Sequence, residues 1–181
     1  MNDALLNLLR CPFCGTRLSL VDTGATVRVN GQIRSAVIGC GCCAFPIVSG
    51  IPVLIADDVT RQAVRALEAG QPEDALLGLL GLQGDRVEQF RTLLATPEGT
   101  YQSALKLLSV DAEGTYFLYR FSDPTFLVAE AIVRALAPYG ATRNGPILDL
   151  CGGCGHLTNV LASLAPNVVT PAQTVVTDLY F

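Results

Sequence analysis

A chain of 181 residues carries a net charge of −4, from twelve Lys and Arg against sixteen Asp and Glu, with a single His and no Trp. Half of the residues are hydrophobic, which excludes a disordered tail, and no apolar run approaches the about 20 residues that a membrane-spanning helix needs. The acidic balance argues against a broad nucleic-acid surface, and the opening MNDALLNLLR lacks the basic region and cleavage site of a secretory signal, so a cytoplasmic protein with no membrane partner is expected.

Seven cysteines in a reducing compartment point to metal or catalysis rather than disulfides. Five of them, Cys11, Cys14, Cys40, Cys42 and Cys43, lie near the start. Two close pairs separated by a β-rich stretch have the spacing of a structural zinc site. Each pair sits on a tight turn, Gly15 lets backbone amides point at the sulfurs, and four sulfurs close a tetrahedron around the ion. Cys11, Cys14, Cys40 and Cys43 keep a two-residue gap in both pairs and are the expected ligands; Cys42 also fits in place of Cys43, with a one-residue gap. Between the pairs, TVRVNGQIRSAV reads as a β-hairpin turning at Asn30-Gly31, which brings the two knuckles together. A stretch this short buries little core, and zinc is expected to supply what is missing, about 10–16 kcal/mol of apparent binding energy. Arg10, Arg17, Arg28 and Arg34 outweigh Asp3 and Asp22 here, but four thiolates around one zinc cancel that excess, so nucleic-acid binding is not indicated.

LLRCPFCGTRLSL followed by CCAFPIVSGIPVLI resembles the zinc-ribbon domain of the tRNA-methyltransferase activator type. In that family a Cys-Pro-x-Cys knuckle precedes a second pair and a Tyr/Phe-Pro-Ile/Val-x-x-Gly-Ile-Pro-Val-Leu tail. Phe45, Pro46, Gly50, Ile51, Pro52 and Val53 match the tail, and the likeness covers roughly the first 55 residues. The segment between the second pair and Phe45 is shorter than the family's.

Asp57-Asp58 ends this module and caps a helical region. Val64 and Leu67, then Ala75, Leu76, Leu79 and Leu80, then Phe90, Leu93 and Leu94, then Ala104, Leu105 and Leu108 recur at helical spacing, and glycines break the run into short pieces. The leucine stripe reads as core rather than as a cofactor box. EGTY occurs twice, at 98–101 and 113–116, too little for a repeat architecture. In TYFLYR, Tyr116, Tyr119 and Arg120 read as core tyrosines and a surface ion pair in preference to a cofactor clamp. FSDPTFLVAEAIVRALAPYG predicts a clear helix: Asp123 caps it, Pro124 opens it, Leu127, Ala131, Ile132, Ala135 and Leu136 form its apolar stripe, and Pro138 with Gly140 stops it.

GPILDL then predicts a short strand ending near Asp149, GHLTNVLASLAP a helix, and QTVVTDLYF a second strand with Asp178 at its tip. Strand, glycine loop, helix, strand and acid make the opening βαβ unit of a Rossmann-like sheet, with parallel strands and a right-handed crossover. Ligands bind at the carboxyl ends of such strands, where glycines permit close approach and the helix N-terminus offers free amides. An acid some twenty residues on reaches a ribose. Gly152, Gly153 and Gly155 match a dinucleotide fingerprint poorly. Cys151 and Cys154 admit a thioredoxin-like redox pair or a zinc pair beside His156; a cofactor loop, with both cysteines as small loop residues and His156 at the surface, is preferred to either.

ILDLCGGCG resembles the first motif of class I S-adenosylmethionine-dependent methyltransferases, Val/Ile-Leu-Asp-Leu-Gly-x-Gly-x-Gly, with Cys151 standing where the first glycine belongs. The resemblance implies that Asp149 orients the amino group of S-adenosylmethionine, that Cys151 lies near its methionine moiety, that Gly153 and Gly155 pack under it, and that Asp178 binds its ribose hydroxyls. The expected fold is α/β overall: a small β-rich zinc ribbon over 1–57, a helical linker over 58–140, and the start of an incomplete Rossmann-like methyltransferase domain over 141–181. A complete domain of that kind needs about 200 residues, so the chain is expected to be an N-terminal portion of a methyltransferase, inactive alone, with its catalytic residues not identified. Zinc and S-adenosylmethionine are the expected cofactors. The expected partners are a methyl acceptor of unknown class and, at the sheet edge, a possible second chain. The rival expectation is a non-enzymatic zinc-ribbon module that binds and stabilises a partner methyltransferase.

Overall fold

In the computed structural model, residues 1–97, 103, 124–136, 147–151, 157, 158, 160 and 174–177 are described. The elements are mixed α/β, and the chain falls into two units, Met1–Gly99 and Thr100–Phe181. Among the described residues no helix is long and apolar enough to cross a membrane.

The first unit is organised by one long central strand. Helix α1 (Asp3–Leu8) precedes strands β1 (Ser19–Leu20), β2 (Val27–Val29), β3 (Gln32–Gly39), β4 (Ala44–Val48) and β5 (Ile51–Pro52). All pair antiparallel, in the order β1-β3-β4-β5, with β2 on the first half of β3. The β2–β3 hairpin turns at Asn30 (φ 51°) and Gly31 (φ 75°). Two successive left-handed residues twist the chain as the strands do, and asparagine followed by glycine tolerates that conformation best. Helix α1 was not anticipated. Its six residues carry too little periodicity to read, but the Asn2 side chain accepts a hydrogen bond from the Leu5 N–H at 2.8 Å and caps it.

QIRSAVIG in β3 does not alternate because both of its faces are covered. Ile33, Ala36 and Ile38 join Leu6, Cys11, Leu18, Phe45 and Ile47 in one core. Val37 joins Val48, Ala63, Val64, Leu67 and Ala75 in another, on the helical side. The helices are α2 (Asp58–Glu68), α3 (Pro72–Leu79) and α4 (Asp85–Ala95). Asp57 opens α2 by accepting the Thr60 N–H at 2.7 Å. Gly70 (φ 74°) closes it, with its N–H on the Leu67 carbonyl and that of Gln71 on the Ala66 carbonyl. Pro72 then starts α3 at the position where its missing N–H costs nothing. Residue 57 lies within the unit that runs from Met1 to Gly99, in which α2 and α3 cover the second face of the antiparallel sheet. Each fully buried Val or Leu at that contact contributes about 1.5–3 kcal/mol.

The second unit holds helix α5 (Pro124–Leu136) and strands β6 (Ile147–Leu150) and β7 (Thr174–Thr177). The helix has the predicted start and an ion pair between Glu130 and Arg134 at 2.6 Å, one turn apart. Two residues of its expected core stripe, Leu127 and Ile132, are exposed. Strands β6 and β7 are parallel, with Ile147 opposite Thr174 and Leu150 opposite Thr177. Parallel neighbours need a crossover connection, and Leu157, Thr158 and Val160 within it are helical. Side chains alternate across β6. Asp149 is half-buried, whereas Leu148 and Leu150 are 56% and 70% exposed.

Candidate metal centre

The register of β3 explains why the distant cysteines meet. Gly39 pairs with Ser19 on one side and with Ala44 on the other. The first knuckle precedes β1 and the second follows β3, so both emerge at the same end of the sheet. In the first, the Cys11 N–H donates to the Thr16 carbonyl at 2.8 Å and the Gly15 N–H to the Cys11 carbonyl at 2.9 Å, with Gly15 left-handed at φ 70°. In the second, the Cys40 N–H donates to the Cys43 carbonyl at 2.9 Å, leaving Gly41 and Cys42 at the tip. Gly39 has no room for a side chain. A Cβ there would stand 3.0 Å from the Cys43 carbonyl oxygen and 3.1 Å from a Val21 methyl.

One sulfur from each of Cys11, Cys14, Cys40 and Cys42 lies within 4.8 Å of the other three. Cys42 lies 3.2 Å from Cys14, 3.3 Å from Cys40 and 3.9 Å from Cys11, and Cys14 lies 3.7 Å from Cys40. Sulfurs about 2.3 Å from a tetrahedral zinc stand about 3.8 Å apart. The quartet thus fits a zinc-sized ion after shifts of a few tenths of an ångström at most pairs. Its fourth member is Cys42, where equal gaps led to Cys43. The difference lies in the turn: Cys43 is its last residue and leads into β4, while Cys42, exposed at the tip, has its sulfur beside those of Cys11, Cys14 and Cys40. Cys43 remains close, its sulfur 3.4 Å from that of Cys42.

The electrostatics suit a cation. Cys14 is pulled down to about 6 by the Thr16 hydroxyl and backbone N–H, with help from the Cys42 thiol. At Cys11 burial pushes the thiol up, but the Cys14 and Phe13 backbone amides outweigh it and the net displacement is downward. Cys42 is pushed far up because Cys14, Cys40 and Cys43 surround it with further sulfurs. Cys43 is eased by Cys42 but raised overall by burial and by Cys11 and Cys40. Four thiols this close cannot all ionise unaided, and a bound dication removes the conflict by deprotonating its ligands outright. Thr16 and the Phe13–Phe45 stack, with ring centroids 6.4 Å apart and planes at 5°, support the first knuckle and were not singled out from the sequence. A threonine two residues past the second cysteine was the available signal for the former.

At the second expected site, Asp149 sits in β6 with its carboxylate accepting a hydrogen bond from the Thr158 hydroxyl, and its carbonyl accepts from Thr177 Oγ1 at 3.3 Å. Thr158 is a second residue that sequence reasoning passed over. Cys151 is exposed and left-handed at φ 55°, a conformation that a side chain disfavours and glycine adopts freely. Gly153, Gly155 and Asp178, together with Cys154, His156 and the Tyr116, Tyr119 and Arg120 cluster, lie outside the described residues. Comparison of the chain with protein-family models, with curated proteins and with solved structures returned no match.

Proposed function

We propose that the chain joins a zinc ribbon to the first βαβ unit of a Rossmann-like sheet that binds S-adenosylmethionine for methyl transfer. The observation that carries the cofactor half is the conformation of Cys151. It follows a parallel strand directly and is left-handed at φ 55°, and it occupies the place of a glycine in the methyltransferase motif that the stretch resembles. Asp149, one bond to Thr158 already made, retains carboxylate lone pairs for an ammonium group. Asp149 and Cys151 would face the methionine end, with Gly153 and Gly155 beneath it and Asp178 on the ribose. When bound, the cofactor supplies an electrophilic methyl group on sulfur. The protein's part is to hold donor and acceptor in line, which itself lowers the barrier. The zinc half rests on the four-sulfur quartet, a closed all-thiolate set of the kind that serves structure rather than catalysis.

Titration of the full chain with S-adenosylmethionine by calorimetry tests the cofactor half. Saturable binding that Asp149→Ala removes is expected, and heat unchanged by that substitution would defeat the assignment. Metal analysis after purification without chelators tests the zinc half, with one zinc per chain expected. A second reading, a non-enzymatic zinc module that stabilises a partner methyltransferase, is favoured by the outward-facing Leu148 and Leu150. Failure to bind the cofactor together with a stable complex formed through β6 would select it.

A further inference from the structure

Three segments of the second unit meet at Asp149. Its carboxylate oxygen Oδ2 accepts a hydrogen bond from the hydroxyl of Thr158, nine residues on and past the loop that follows β6. Its main-chain carbonyl accepts a second from Thr177 Oγ1 at 3.3 Å. Thr158 is helical and 8% exposed, and Thr177 ends β7 opposite Leu150. One threonine thus ties the end of β6 to the crossover helix, and the other ties it to the neighbouring strand. A carboxylate has two oxygens and about four lone-pair sites. At Asp149, which is half-buried, Oδ2 is held by a buried side chain and Oδ1 makes no hydrogen bond among the described residues.

We propose that Thr158 is the positioning residue of Asp149: its hydroxyl holds the carboxylate in place and leaves Oδ1 to accept the ammonium group of the cofactor. Threonine suits the task. Its β-branched side chain has few rotamers on a helix, so the hydroxyl stays where the fold puts it. A hydroxyl that donates to a carboxylate also makes a stronger bond than one between neutral groups. The gain lies in ordering. A carboxylate fixed in advance need not be immobilised when the ligand arrives, and that immobilisation costs affinity. Thr158 itself touches no ligand, because its hydroxyl proton is committed to Asp149. The role deepens the cofactor reading above and rests on it.

Calorimetry on the full chain tests it. Thr158→Val keeps the shape of the side chain and removes the hydroxyl; it should weaken S-adenosylmethionine about three- to tenfold, the cost of ordering one side chain. Thr158→Ser restores the hydroxyl and should bind nearly as the wild type does. Methylthioadenosine keeps the nucleoside and the methylthio group but lacks the amino-acid end, and should bind all three forms alike. Thr158→Val with wild-type affinity would overturn the proposal, as would Thr158→Ser as weak as Thr158→Val. An equal loss for methylthioadenosine would also overturn it, since the hydroxyl would then only fasten the loop. Carbon-13 NMR of the Asp149 carboxylate in the wild-type chain reads the same bond without mutation. Exchanging water for heavy water should move its signal more than that of a carboxylate facing only water, and no such difference would overturn the bond. Wild-type chain that binds neither ligand would overturn the cofactor reading as well, a result distinct from variants that fail to differ.

Discussion

The two halves of the chain treat their apolar strands in opposite ways. In the first unit β3 is covered on both faces, and Phe45 beside it in β4 is 1% exposed. In the second, β6 has the same kind of apolar sequence but shows Leu148 and Leu150 to solvent. A sheet strand becomes stable through what covers it, not through its own β propensity. The first unit supplies its covers from its own sequence: α1 and the knuckles on one side, α2 and α3 on the other. Its stability should be local and steep, while substitutions on the open face of β6 should matter little to folding and much to anything that docks there.

The largest effect expected is on the metal. Cys11→Ser, or a strong chelator, should remove an ion whose binding contributes on the order of 10 kcal/mol in comparable small sites. Hydrogen exchange resolved by segment should then rise over residues 11–20 and 38–46 and stay unchanged over 147–150. A change spread equally over both segments would break the comparison. Next come the apolar side chains. Phe45→Ala should cost about 3–5 kcal/mol and Leu150→Ala less than about 0.5 kcal/mol, read from urea titrations. Equal costs would mean that β6 is as well covered as β4. Gly39→Ala should cost about 1–3 kcal/mol, since the added methyl meets the Cys43 carbonyl and Val21, and it should weaken metal binding because the second knuckle begins there.

The smallest effect concerns the cap of α2. Asp57→Ala should cost about 1 kcal/mol near neutral pH. The Thr60 amide and hydroxyl hold the Asp57 carboxyl below its ordinary value of 3.8. The folded form therefore binds its proton less readily than the unfolded chain. The stabilisation is complete above that ordinary value and is lost as pH falls through the depressed one. The stability difference between wild type and Asp57→Ala should accordingly hold constant above about pH 5 and shrink in more acidic solution. A difference that grows on acidification would contradict the cap.

What was legible in the sequence was local. Asn30-Gly31 announced its turn because few other pairs tolerate two left-handed residues, and Asp57 announced its helix because the cap bond spans three residues. The cysteine spacing pointed to a metal centre because knuckles are short-range objects, and four of the five cysteines there do converge. Three features depended on tertiary placement and could not be read. Whether Cys42 or Cys43 joins the other three sulfurs is decided by the turn that leads into β4. The doubling of cover on β3 depends on helices twenty or more residues away. The exposure of Leu127, Ile132, Leu148 and Leu150 reverses a periodicity that, read alone, predicts burial. Asp149 was singled out for its place at a strand end, but its partner Thr158 was hidden, because only the crossover brings the two together.

The division near Gly99 also sorts the chromophores. The protein has five tyrosines, at positions 101, 116, 119, 139 and 180, and no tryptophan, so every tyrosine belongs to the Thr100–Phe181 unit. Near-ultraviolet emission therefore reports on that unit alone. Visible absorption of a cobalt–thiolate centre would report on the other. A single sample observed in two colours can follow each half melting, binding or reacting without a label, and a shift in one colour caused by a ligand of the other half would be a direct measure of their coupling.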